Sequence, residues 1–157
     1  MRTISLSMTD ICPVITECID RGSEVILTVT GNSMRPYISH RRDCVVLVKT
    51  DGLKLKKGQV PLYKREDGHY VLHRIVRVEK DGTYTMLGDA QTEFEYGINP
   101  SQIVALSKAF IRKKKRHEVT SVGYRLYTAI WMALLPIRPF CFKFIYLLGR
   151  LLIIFKG

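Results

Sequence analysis

The chain has 157 residues, 46% of them hydrophobic, which is enough for one core with an appendage and too little for two full domains. Lysine and arginine number 25 against 14 acids, and the net charge of +11 points to an anionic partner, either a nucleic acid or an acidic lipid surface. The spacing of Cys12, Cys18, Cys44 and Cys141 excludes a paired zinc site, and a chain this long and aliphatic needs no disulfide scaffold, so all four read as buried thiols.

The first ten residues carry Arg2 but no apolar core, so neither an export signal nor an N-terminal anchor is expected there. Ile11, Val14, Ile15, Cys18 and Ile19 recur at helical spacing and predict a helix from about Thr9 to Arg21, with Pro13 tolerated near its start and Gly22 as its stop. One such helix is not a helix-turn-helix, which argues against a DNA-binding domain. Strand signals then dominate: Val25 to Thr30, Cys44 to Lys49, Val60 to Lys64, Tyr70 to Val78, Thr83 to Leu87 and Ile103 to Arg112. Asp51-Gly52, Asp67-Gly68 and Asp81-Gly82 are turn dipeptides between them, the last two closing hairpins. The pattern predicts a mainly β fold, a small coiled antiparallel sheet or partly open barrel, with an N-terminal helix.

Composition changes at Arg112-Lys113-Lys114-Lys115-Arg116, and residues 1–112 are taken as the main domain with 113–157 as a basic run and apolar helical segment. Tyr127 to Leu135 is apolar, Pro136-Ile137-Arg138-Pro139 breaks it, and Phe140 to Phe155 is apolar again but shorter than the roughly 20 residues of a spanning helix. Lys143, Tyr146 and Arg150 form a narrow polar stripe there, which suits a helix in the membrane interface or a re-entrant hairpin; helices packed on the sheet are the alternative. The adjoining cations make an anionic membrane surface the expected partner. No basic groove interleaved with aromatics argues for nucleic acid.

Gly31-Asn32-Ser33-Met34-Arg35-Pro36 follows the first strand, and Pro36 is expected to send the loop along a stiff, extended path that presents the Ser33 hydroxyl. A serine needs a base, and the chain offers His40, His69, His73 and His117. His73 lies mid-strand among apolar residues, where an imidazole can be held rigidly. No nucleotide-binding glycine loop or metal-ligand cluster is present, and no cofactor is implied.

Gly31-Asn32-Ser33-Met34-Arg35-Pro36 resembles the Gly-x-Ser-Met-x-Pro nucleophile loop of the serine peptidases that include type I signal peptidases and LexA-type self-cleaving repressors. Further pieces match in order over about half the chain. Arg42-Asp43 before an apolar strand resembles the family's Gly-Asp, and Lys57-Gly58-Gln59-Val60 a second Gly-Asp-Val strand entry. Val71-Leu72-His73-Arg74-Ile75-Val76 is similar to the His-Arg-Ile-Val of signal peptidases that use histidine as base, and Gly88-Asp89 completes the series. Arg42 and Gln59 depart from the pattern. The resemblance implies a serine endopeptidase that cleaves leader or signal peptides, with Ser33 as nucleophile, His73 as base and Asp89 as the orienting acid. Glu95 is the reserve acid, and Lys64 the alternative base used by lysine-dependent relatives. Backbone N–H groups of Asn32 and Ser33 would form the oxyanion hole. A catalytically weak or inactive binding module and a LexA-type self-cleaving regulator remain as alternatives. Basic residues flanking a membrane segment stay on the cytoplasmic side, so a membrane-associated protein with a cytoplasm-facing catalytic domain is expected.

Overall fold

A computed structural model describes residues 8–50, 52 and 54–138. The apolar run from Phe140, its polar stripe and any hairpin it makes lie outside the described residues, as do Asp51 of the expected Asp51-Gly52 turn and Cys141. Helix α1 (Met8–Asp20) presents Cys12, Ile15 and Ile19 to the core, with Ile11 packed beside them. Val14, expected on that face, is turned outward and 60% exposed. The helix ends where Gly22 takes φ 81°, and the N–H groups of Gly22 and Ser23 return to the carbonyls of Ile19 and Cys18.

The chain continues through β1 (Val25–Thr28), β2 (Cys44–Val48), β3 (Pro61–Lys64), β4 (Tyr70–Leu72), β5 (Arg74–Val78), β6 (Tyr84–Leu87), β7 (Glu95–Ile98), β8 (Ile103–Arg112) and β9 (Lys115–Glu118). All pairings are antiparallel. The larger sheet runs β1-β2-β8-β3-β4, with β9 also on β8, and the smaller runs β5-β6-β7. The fold is mainly β, a curled antiparallel half-barrel with an N-terminal helix. Strand β8 is its spine, pairing β3 with its first half, β2 with its second and β9 at its end.

The single strand expected from Tyr70 to Val78 is two strands that part at His73. Leu72 still pairs with Leu62 in the larger sheet, while Arg74 pairs with Leu87 in the smaller. His73 therefore lies where the chain passes from one sheet to the other, between a core cluster around Ile15, Leu47, Val60 and Phe110 and a second around Tyr63, Ile75 and Met86. Strand β7, short, polar and containing Gly97, had no strand signal.

The cationic run is a hairpin rather than a boundary. Lys113 and Lys114 occupy its two turn positions with φ 46° and 68°, as a right-twisted two-residue turn requires, and Arg112 pairs with Lys115. Strand β9 thus carries the larger sheet past the expected division at residue 112, and Arg116 is held by Glu24 at 2.8 Å.

Helix α2 (Val122–Ala133) starts ahead of the apolar run expected from Tyr127, capped by the Ser121 hydroxyl. Its inner face is aromatic: Tyr127 and Tyr124 stand 4.6 and 5.1 Å from the ring of Tyr37, which belongs to the segment just after Ser33. This part of the tail packs on the core. Among the described residues no helix is long and apolar enough to cross a membrane. Of the thiols, Cys12 is buried, whereas Cys18 and Cys44 are only half-buried.

Candidate active site

The loop bearing Ser33 is fixed from three directions. Met34 is 3% exposed and anchors it in the core, a burial contributing about 2 kcal/mol. The Gly31 N–H donates to His40 Nδ1 at 2.8 Å, so His40 clamps the loop entry. The Ser33 carbonyl accepts the Ala90 N–H at 2.7 Å. A Cβ on Gly88 would come within 2.8 Å of that carbonyl, so only glycine admits so close an approach. The loop does not leave on the expected extended path. The Arg35-Pro36 peptide is cis, and the Ile38 N–H turns back to the Met34 carbonyl. Its exit is tied down by Asp43, fully buried, whose carboxylate accepts from the Ser39 N–H and, bidentately, from Arg42. Arg42, where the family pattern has glycine, here locks that aspartate. Gln59, where the pattern has an acid, accepts the Lys56 N–H and closes a turn.

His73 is 1% exposed. Its Nδ1 lies 2.8 Å from Glu95 Oε1, making Glu95, the reserve acid, the carboxylate at the ring. The other Glu95 oxygen accepts from the Tyr63 hydroxyl at 2.9 Å and from Arg65 Nε at 2.7 Å. Because the Tyr63 proton goes to Glu95, the Nδ1 proton is free to do the same. The ring is then the tautomer with a bare Nε2, the form able to accept a proton from a hydroxyl. Sequence reasoning singled out neither Tyr63 nor Arg65. Tyr63 lies in β3 and Arg65 just past its end, and nothing local in the sequence marks either as a partner of Glu95.

Asp89, the acid placed first by the family resemblance, is engaged elsewhere. Its two oxygens accept Arg74 Nε at 2.8 Å and Nη2 at 2.7 Å, both side chains being 1% exposed, and the Tyr127 hydroxyl adds a bond at 3.0 Å. Arg74 Nη1 also reaches the Gly58 carbonyl and the hydroxyls of Tyr124 and Thr128. Asp89 therefore binds α2 to the smaller sheet beside the site and does not touch the imidazole's Nδ1.

Ser33 and His73 are brought to adjacent segments, since Gly88-Asp89-Ala90, which grips Ser33, directly follows Leu87, the partner of Arg74. They are not joined by a hydrogen bond, and among the described residues Ser33 Oγ has no partner. The Asn32 and Ser33 N–H groups likewise make no hydrogen bond among the described residues. Lys64, the alternative base, lies exposed over the Tyr70 ring. His69 is exposed beside Asp67, and His117 sits in β9 opposite Phe110. Among the described residues no group of histidine, cysteine and acid side chains could hold a metal ion. No family model and no curated protein matches the chain.

Burial pushes the His73 imidazole below its ordinary value, against the pull of Glu95. Burial also opposes ionisation of Glu95, but hydrogen bonds from Arg65 and Tyr63 and the charge of His73 outweigh it and hold the carboxyl low. As pH falls below about 6.5, the unfolded chain takes up an imidazole proton that the native state refuses, so this contribution, present above that pH, is lost on acidification. Urea unfolding should show stability falling between pH 7.5 and 5.5 by at most about 1.4 kcal/mol per unit from this group, and His73→Gln should flatten that slope.

Proposed function

We propose that the chain is a serine endopeptidase of the signal peptidase and LexA type, acting through Ser33, His73 and Glu95. The observation that carries the reading is the buried His73 with Nδ1 on the Glu95 carboxylate, at the sheet junction next to the segment that grips the Ser33 loop. Ser33 attacks the scissile carbonyl while His73 Nε2 takes its proton, and Glu95 stabilises the imidazolium. The loop N–H groups of Asn32 and Ser33 receive the oxyanion. His73 then gives its proton to the leaving amine, and water hydrolyses the acyl-enzyme. The substrate class, leader or signal peptides, comes from the family resemblance. The placement at a membrane with the site facing the cytoplasm comes instead from the basic run and the apolar residues from Phe140, and is opposite to the side on which signal peptidases usually work.

A second reading, a peptidase-like module that binds without cleaving, has the unpartnered Ser33 hydroxyl in its favour. Apo serine sites often tighten only with substrate, so this does not outweigh the histidine–carboxylate pair. Purified full-length protein in detergent should be acylated by a serine-directed probe, and Ser33→Ala and His73→Ala should each abolish labelling. Equal labelling of wild type and Ser33→Ala would sink the enzyme reading and leave the binding module.

A further inference from the structure

The outward face of α2 is apolar where a surface helix is normally polar. Val122 is 81% exposed, Leu126 59% and Ile130 52%, four residues apart and so on one side, while Tyr124, Tyr127 and Trp131 point inward. Ile137, just past the helix, is 48% exposed. The helix carries one charge, Arg125. Along its flank runs an open groove of about 720 Å³ between α2 and the strands, with Val60, Leu106 and Met132 among its apolar walls. The charged side chains lining it are Lys56, Lys57 and Arg125, three cations with no carboxylate among them.

We infer that this surface seats the domain on an anionic bilayer, with the outer face of α2 in the outermost acyl layer and an acidic phospholipid headgroup in the groove against Lys56, Lys57 and Arg125. An apolar stripe bordered by unopposed cations is what a helix lying in a membrane interface presents. A second copy of the chain fits worse. A two-fold contact would set the same three cations against themselves in a chain already at +11. The inference rests on the membrane placement proposed above and not on the peptidase chemistry. It assigns the contact to residues of the folded domain, independently of the apolar run after Phe140.

The test uses full-length protein whose sole tryptophan is moved from the inner to the outer face of α2, Trp131→Phe with Leu126→Trp, mixed with vesicles of phosphatidylcholine containing 30% phosphatidylglycerol. Lipids brominated near the headgroup end of the acyl chain should quench the relocated indole, and should not quench one placed in the β5–β6 turn, outside the proposed contact, by Lys80→Trp with Trp131→Phe. Lys56→Gln, Lys57→Gln and Arg125→Gln together should lower vesicle affinity about 100-fold, at about fivefold per cation, and leave binding to neutral vesicles unchanged. Serine-probe labelling of the same samples reads the peptidase proposal separately. An unquenched indole in bound protein would mean that the residues after Phe140 bind alone, and would overturn the inference. So would dimerisation without vesicles that Leu126→Asp abolishes.

Discussion

Glu95→Gln should slow acylation of Ser33 by a factor on the order of 10³–10⁴ while the protein stays folded. Glu95 holds the Nδ1 proton of His73 at 2.8 Å. An amide in its place can offer Nδ1 an N–H and favour the tautomer whose Nε2 already carries a proton, which cannot accept one from serine. Stabilisation of the imidazolium is lost as well, and the comparable change in a serine-histidine-aspartate triad costs about 10⁴. The pH profile distinguishes this from a structural effect. Glu95 raises the imidazole's proton affinity, so its neutralisation should move the acid limb of the acylation rate to lower pH. Tyr63→Phe, which removes one of the bonds orienting Glu95 and leaves its charge, should cost much less. If Glu95→Gln labels at the wild-type rate, the carboxylate beside His73 has no part in catalysis.

The difference between Glu95 and Asp89 also marks where sequence reasoning runs out. The β-branched run entering Gly31, the turn dipeptides at Gly68 and Gly82 and the helical spacing of Ile11, Ile15 and Ile19 are local signals, and the corresponding elements stand where they were expected. The direction of a carboxylate is not local. Arg74 pairs with Leu87, and this register puts the two residues just beyond, His73 and Gly88, side by side, with Asp89 next to them. What decides the outcome is that Arg74, with its long planar fork, claims the Asp89 carboxylate first. Glu95 reaches His73 only because β7 forms and pairs with β6, and β7 has neither β-branched residues at its start nor a periodic pattern to announce it.

Helix α2 shows the complementary case. Tyr124, Tyr127 and Trp131 recur at helical spacing and mark the buried face, leaving the aliphatic side outward, a division that an apolar run beginning at Tyr127 does not announce. Within the cationic run, Lys113 and Lys114 make a hairpin turn, an outcome that depends on β8 and β9 meeting, because lysine gives no warning that it will adopt a positive φ.

Asp89→Leu should destabilise the protein by about 3–5 kcal/mol, a large share of a typical domain's total stability. Arg74 is buried with its guanidinium bonded on one edge to both Asp89 oxygens, and the remaining partners, a carbonyl and two hydroxyls, carry no charge. Removing the carboxylate leaves a cation with neither water nor a counter-ion. The same carboxylate accepts the Tyr127 hydroxyl, so α2 loses its tie to the smaller sheet at that point. A fall in Tm of roughly 10 °C or more is expected by calorimetry, with a change in Trp131 emission as α2 loosens. Replacing both partners, Arg74→Met with Asp89→Leu, should recover most of the loss, because the large cost belongs to the unpaired charge and not to the absence of the pair. Asp89→Asn, which keeps an acceptor for Arg74 and for Tyr127, should fall between these and still be labelled at Ser33. If Asp89→Asn abolishes labelling without lowering Tm, Asp89 acts in the chemistry, and its bonds to Arg74 and Tyr127 rearrange when substrate binds.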